Sequence, residues 1–313
     1  MDNESLSKSL LGSFKSCDLI HTREDEYQSR YFDYQRAYRY RAVLQDDSKI
    51  ECTAYLHFLK GQPTTLAIDV STMVGCPVGC RFCAAGAIKF ERPLTNSEMS
   101  DQAEYLISIF DDAAFPKITC SFQGIGEPSL VARDVLFAAR RLVRGNSKVH
   151  ISIATTLTNS SAIDLWGGSD VVFDNLQLSC SATNRTTRNR IVPDVRSAHD
   201  IFYLARLCLA YPNFRKVKIN YILMVGVNDS NSDLDELASL AAQSGLTVKI
   251  STLNPTKTSR RFGLVSSDII RARRFRDELT RSGIDSYIYG AFDGTTVSCG
   301  QLLEPGAILD GAP

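Results

Sequence analysis

The sequence predicts an α/β fold, an open partial (β/α)6 barrel with a short N-terminal helical and β-hairpin extension. Three observations carry this. Strand-like and helix-like runs alternate six times. A tight group of cysteines follows the first of those strands. The chain, 313 residues long, suits one large domain with small appendages.

Residues 1–35 are polar and of mixed charge, with a short apolar patch near Leu10 to Phe14. They predict a short helix or two. Tyr38 to Leu44 and Ile50 to Leu59 then flank Gln45-Asp46-Asp47-Ser48, a turn-forming set, and read as a hairpin. A second turn at Lys60-Gly61-Gln62-Pro63 leads into the first barrel strand. Barrel strands are expected at 65–71, 118–123, 149–155, 176–180, 217–224 and 247–252. Helices are expected at 96–111, 130–143, 159–166, 197–210, 231–244 and 266–282. Thr95-Asn96-Ser97-Glu98 supplies an N-cap for the first helix, and Asp229-Ser230-Asn231-Ser232 caps the fifth. Repeated β-α units call for parallel strands with crossover helices. Six units are too few for an eight-fold closure, and chemistry belongs at the C-terminal strand ends. The expected division is 1–35 as a short extension, 36–64 as a hairpin lead-in, 65–303 as the barrel with its C-terminal loop, and 304–313 as a tail.

Composition sets outer limits. Basic and acidic residues number 35 each, for a net charge of zero. This neither demands nor excludes RNA, since dedicated nucleic-acid binders more often carry a basic excess. The arginine groups at 36–41, 185–190 and 260–276 read as solvated faces. No apolar run approaches a membrane span, and the N-terminal residues lack a charged-then-apolar signal pattern. Nine cysteines form no pairwise framework. A reducing compartment follows, and the cytoplasm is the expected location.

Cys76, Cys80 and Cys83 lie in the run GCPVGCRFCAAG. This C-x3-C-x2-C spacing suits three corners of a [4Fe–4S] cluster, leaving one iron open to another ligand. The same spacing also admits a zinc site or three unrelated thiols. Structural zinc wants four ligands, commonly from paired C-x2-C units, and no second pair is nearby. Gly124-Ile125-Gly126-Glu127-Pro128 follows the second strand. Glycines there let backbone approach a ligand, and Glu127 offers an acceptor. Thr155 and Thr156, Ser179 and Ser181, and Asn254 sit at later strand ends. Cys299 lies in a Gly-flanked loop near the C-terminus, a place that presents a thiol rather than hiding it.

The stretch from about Ile50 to Leu302 resembles the RlmN/Cfr family of radical S-adenosylmethionine (SAM) methyltransferases. The matching pieces are VGCPVGCRFCAAG, ERPLTNSEMSDQ, QGIGEPSL, LSCSATNRTTRNRIVP, YILMVGVNDS, LNPTKTSRRFG and SCGQL, in order. The resemblance implies a radical-SAM barrel and methylation of an adenine carbon in RNA. Cys76, Cys80 and Cys83 would hold the cluster. Gly126, Glu127, Ser179 and Asn254 would bind SAM, with Thr155 and Ser181 at the same mouth. Cys299 would accept a methyl from one SAM, and a 5′-deoxyadenosyl radical from a second would abstract hydrogen from it. Glu51 would be a proton acceptor. A flavodoxin- or ferredoxin-type electron donor and a monomeric enzyme are the expected arrangement, with no membrane.

Departures from the family pattern widen the choice. Asp69 stands where the family has a second cysteine that resolves the protein–substrate crosslink. Hairpin geometry places Cys52 opposite roughly residues 68 to 72, as a candidate replacement. Ala154 and Ser181 replace a Ser and a His, and the family's N-terminal RNA-handling region is reduced to about 35 residues. The alternatives are a radical-SAM enzyme of different outcome on a small molecule, and a non-catalytic cluster-bearing RNA-binding protein.

Overall fold

The computed structural model describes residues 12–26, 32–110, 112–193, 198–242, 244–289 and 301–302. Four strands begin the chain as an antiparallel meander: β1 (Phe14–Glu26), β2 (Tyr34–Leu44), β3 (Lys49–Leu59) and β4 (Gln62–Val70). The β3–β4 turn is Lys60-Gly61, both residues at positive φ (52° and 75°). That conformation matches the twist of a two-residue hairpin. A small pair, β5 (Met73–Val74) with β6 (Arg92–Pro93), then brackets the cysteine loop.

From there helices and strands alternate. The order is α1 (Asn96–Ile109), β7 (Lys117–Phe122), α2 (Ala132–Gly145), β8 (Val149–Thr155), α3 (Ala162–Gly167), β9 (Phe173–Ser179), α4 (Arg185–Ile191) and α5 (Ala198–Cys208). It continues with β10 (Val217–Leu223), α6 (Asn231–Ala242), β11 (Thr247–Thr252), α7 (Lys257–Arg261), α8 (Ile269–Arg281) and β12 (Ser286–Tyr289). One ten-stranded sheet runs β1-β2-β3-β4-β7-β8-β9-β10-β11-β12, parallel from β4 onward. Among the described residues its two edge strands, β1 and β12, do not pair with each other, so the barrel stays open as expected.

Local chemistry fixes the element ends. Thr95 caps α1 in a capping box, its hydroxyl accepting from Glu98 N while Glu98 Oε2 accepts from Thr95 N. Ser230 and Asp233 exchange the equivalent bonds at α6. In α2, Val135, Leu136, Ala138, Ala139 and Leu142 form the buried stripe against the sheet. Trp166 is fully buried, and its indole N–H donates to Ala132 O at 2.9 Å. Trp166→Ala would open a cavity costing about 3–5 kcal/mol.

Two elements correct the sequence expectations. The N-terminal stretch expected as helix contributes strand β1. Its apolar residues are few, but β2 offers an open edge whose backbone groups it pairs from Phe14↔Leu44 to Glu26↔Tyr34, with register shifts between Phe14 and Ser16 and between Leu19 and His21. Edge pairing supplies the order that composition does not advertise. The sheet therefore runs unbroken across residues 35 and 64. Second, β12 adds a seventh parallel strand, paired with β11. At four residues it is too short to show a period of its own. Among the described residues no helix is long and apolar enough to cross a membrane.

Candidate active site at the strand ends

The cysteine loop leaves the C-terminal end of β4 and is folded tightly by glycines. A Cβ on Gly75 would stand 2.2 Å from Lys89 O, and one on Gly86 would stand 2.4 Å from Cys80 O. Neither position admits another residue without moving the loop. Cys76, Cys80 and Cys83 are all half-buried. Burial pushes the Cys76 thiol up to about 12. Burial, then the neighbouring Cys83 and Cys76, push Cys80 well above its ordinary value. The three sulfurs thus lie within electrostatic reach of one another and need a positive partner to become thiolates. No three His, Cys, Asp or Glu side chains among the described residues converge on one metal-ion position. A cubane cluster does not require that, because each cysteine takes a different iron.

The Gly-Ile-Gly turn packs beside this loop. Gly124 N donates to Val70 O at 3.0 Å, and Thr72 N donates to Ile125 O at 2.8 Å. Glu127, 3% exposed, is fully engaged by protein donors. Its Oε1 accepts from Ser129 N at 3.1 Å and from the Thr155 hydroxyl. Its Oε2 accepts from Thr156 N at 2.8 Å and Thr156 Oγ1 at 2.9 Å. Four donors fill the four lone-pair sites of a carboxylate. An incoming ammonium would therefore have to turn a threonine hydroxyl aside. The network locks the end of β8 to the turn after β7.

The remaining expected residues gather at the same end of the sheet. Ser179, half-buried, ends β9, and its carbonyl accepts from Arg188 Nη1 at 3.1 Å. Ser181 is buried, and among the described residues its hydroxyl has no hydrogen-bond partner, nor does that of Thr252 at the end of β11. Buried hydroxyls left this way at strand ends fit a polar ligand such as SAM. Asn254 is half-buried just beyond β11. Thr256 Oγ1 donates to Phe82 O at 3.2 Å, tying the β11–α7 loop to the cysteine loop.

Glu51 and Cys52 part company. Glu51 is fully buried. Its Oε1 accepts from Arg41 Nη2 at 2.7 Å and Nε at 3.1 Å, and its Oε2 lies 3.5 Å from Arg39 Nε. Cys52 sits one residue on, so its side chain points to the opposite face of β3. There its thiol hydrogen-bonds with the thiol of Cys17, within the core cluster that includes Met99, Ala103 and Leu106 of α1. The register does put Cys52 beside Val70, since Thr53 pairs with Asp69. Cys52 therefore lies on the core side of β3, on the face opposite Glu51 and Asp69.

Cys299 lies outside the described residues. The segment just after it does reach the site. Arg39 Nη1 donates to Gln301 O at 3.2 Å, and Gln301 Nε2 donates to Pro255 O at 2.9 Å. Leu302 packs with Ala85 and Ile125 beside Cys76 and Cys83. Sequence reading missed Arg39 and Arg188, which it placed on solvated faces. Both are buried. Alternation along β2 was the available signal for Arg39, which falls in step with Ala37 and Arg41.

Comparison with known proteins decides the family. Residues 70–241, more than half of the chain, match the model of the Radical SAM superfamily. The chain belongs to the radical SAM superfamily. Within it the chain belongs to the RlmN/Cfr family of methyltransferases. It is 31% identical over 277 residues to the "Ribosomal RNA large subunit methyltransferase Cfr" of Lachnoclostridium phytofermentans, covering 83% of this chain and 75% of that one. It is 30% identical over 285 residues to the "Probable dual-specificity RNA methyltransferase RlmN" of Deinococcus deserti, covering 88% and 80%. A crystal structure of a radical SAM methyltransferase from Sphaerobacter thermophilus superposes with a TM-score of 0.74 at 25% identity, over 92% of this chain and 81% of that one. The radical-SAM fold, the enzyme class and the methyltransferase type follow. The family implies a [4Fe–4S] cluster and SAM, which the strand-end groups described above fit.

Proposed function

We propose that this enzyme methylates an electron-poor adenine carbon in RNA, with Cys299 as the methyl carrier. The observation supporting this is a convergence. Leu302 rests on Ala85 and Ile125 beside Cys76 and Cys83, so the segment that carries Cys299 three residues earlier ends between the cysteine loop and the Gly-Ile-Gly turn. The names of the relatives, ribosomal RNA and dual-specificity RNA methyltransferases, support RNA as the substrate class.

In this reading Cys76, Cys80 and Cys83 hold a [4Fe–4S] cluster. Gly126, Ser179, Ser181, Thr252 and Asn254 contact SAM, with Glu127 and Thr155 positioning the turn. When bound, the cluster and SAM supply a methyl group and a 5′-deoxyadenosyl radical. An amidine-type ring carbon is not nucleophilic, so direct polar attack on SAM would be slow. The Cys299 sulfur is nucleophilic and takes the methyl by displacement, a covalent form of catalysis. Holding that carbon beside the base replaces a bimolecular encounter by an intramolecular one. A flavodoxin- or ferredoxin-type protein supplies electrons, a single chain is the working unit, and the cytoplasm is the compartment.

The test is anaerobic turnover of the reconstituted protein with methyl-labelled SAM and a large-subunit ribosomal RNA transcript. Label in adenine with wild type, and none with Cys299→Ala, is the expected result. Deoxyadenosine without label transfer would point instead to a different radical outcome on a small molecule. Neither product would indicate a non-catalytic protein.

A further inference from the structure

The cysteine loop and α7 together build an exposed surface that the methyl-transfer reading leaves unused. Thr256 Oγ1, at the start of α7, donates to Phe82 O. Arg81, in the chain between Cys80 and Cys83, donates its backbone N–H to Ile191 O at 2.8 Å. Phe262 ends α7 and is 45% exposed. Two guanidinium groups rest against its ring, Arg81 Cζ at 5.0 Å and Arg261 Cζ at 6.0 Å from the centroid. Arg260 is exposed beside them. Among the described residues, none of Arg81, Arg260 and Arg261 forms an ion pair. Like charges gathered without an acidic partner create a local positive potential.

Apolar side chains continue this surface. Val265 and Val225 are 61% and 54% exposed, and Val225 N donates to Val265 O at 3.0 Å. Ile270, in the first turn of α8, is 73% exposed. Single exposed aliphatic residues need no account, but a group of them rimmed by charge marks an interaction site. The acidic side chains nearest in the chain turn to local donors. Asp229 accepts from Ser267 Oγ, and Asp268 caps α8 by accepting from Arg271 N. Leu264, between Phe262 and Val265 in the chain, is buried. It belongs to an apolar layer with Met224 and Leu253, against which Cys76, Cys80 and Phe82 pack. One layer of buried side chains therefore backs the surface on its way to the thiols.

These features select a partner. An apolar centre with an aromatic residue and arginines is the make-up of a protein–protein contact. Valine and isoleucine give RNA bases no stacking face, whereas a protein partner would bury them. The positive rim favours an acidic partner and speeds its approach. Contacts of electron-carrier proteins are small and transient, in keeping with a patch of this extent.

We propose that this face is the docking surface for an acidic one-electron carrier protein. It rests on the reading that Cys76, Cys80 and Cys83 hold a [4Fe–4S] cluster. Arg81, Arg260 and Arg261 meet carboxylates of the carrier, and Phe262 with Val225 and Val265 buries against the apolar edge of its redox group. The carrier is oxidised by one electron and the cluster is reduced by one. No bond forms or breaks between the two proteins.

The experiment titrates full-length reconstituted protein anaerobically against fluorescently labelled flavodoxin and, separately, ferredoxin, both acidic carriers, and reads anisotropy. Wild type is expected to bind one of them, more weakly as salt is raised. Arg260→Glu with Arg261→Glu, and separately Phe262→Ala, should weaken that binding at least about 10-fold. Cluster reduction by the carrier should slow in proportion, while reduction by dithionite, which needs no docking, keeps its wild-type rate. Equal carrier affinity in wild type and variants would overturn the proposal, as would failure of both carriers to bind wild type. A parallel loss with dithionite would also overturn it, because the substitutions would then act on the cysteine loop itself. Variants that keep the carrier but lose affinity for the ribosomal RNA transcript would give the surface to RNA and end the proposal. A wild-type protein with no cluster absorbance after reconstitution would remove the cluster reading first, and this assignment with it.

Discussion

Arg39 Nη1 donates to the carbonyl oxygen of Gln301 at 3.2 Å, joining the second strand of the sheet to the C-terminal segment. The same guanidinium faces Glu51 at 3.5 Å. Arg39→Met should therefore loosen the C-terminal closure and remove one of the two guanidinium groups beside Glu51. The expected loss is about 3 kcal/mol, the low end for breaking a buried ion pair, because Arg41 remains. Urea unfolding checks this, and an unchanged midpoint would contradict it.

The cysteine loop should be intolerant at Gly86 as well as at its cysteines. Cys76→Ala, Cys80→Ala or Cys83→Ala should each abolish the visible absorbance of reconstituted protein. Gly86→Ala places a methyl 2.4 Å from Cys80 O and should lower iron content while the far-ultraviolet dichroism stays unchanged. Full iron content in Gly86→Ala would mean that the loop yields more readily than its packing implies.

Glu127→Ala removes an acceptor shared by Ser129, Thr155 and Thr156. Leaving buried donors unmatched should cost about 3 kcal/mol in thermal or urea unfolding. SAM affinity measured by calorimetry should fall as well, because the β8 end is no longer locked to the Gly-Ile-Gly turn. A protein of undiminished stability with weakened SAM binding would instead make Glu127 a direct ligand.

Asp69 should leave a signature in stability against pH. Its folded-state carboxyl lies at about 6, above the ordinary aspartate value near 3.9. The folded state therefore binds the proton more tightly. Its contribution is fully present below about pH 4 and is lost as pH rises through about 6. Two units correspond to about 3 kcal/mol. Relative to Asp69→Asn, wild type should lose roughly that amount between pH 4 and pH 7. A pH-independent difference would show that the carboxyl titrates normally.

Cys52→Ala tests the facing of β3. Because Cys52 packs with Cys17 among residues of α1, the substitution should cost about 1 kcal/mol. It should trap no protein–substrate adduct in peptide mass spectrometry after turnover. An adduct in Cys52→Ala alone would return Cys52 to the reaction.

The sequence by itself determined the alternating β-α order, the helix caps at Thr95 and Ser230, the cysteine spacing and the strand-end positions of Glu127, Ser179 and Asn254. These are local features. A period, a capping residue or a three-thiol spacing is written within a dozen neighbouring residues and needs no distant partner to be read. The tertiary structure decided the rest. β1 became a strand because β2 presented an open edge, which composition cannot reveal. Arg39 and Arg188 became buried groups because strands and helices far away in sequence closed over them. Cys52 turned from the mouth while Asp69 and Glu51 turned toward one face, since strand alternation assigns sides only once register is set. The partners of those two carboxylates are likewise tertiary: Arg39 and Arg41 come to lie beside Glu51, and Gln123 donates to Asp69, only in the folded sheet.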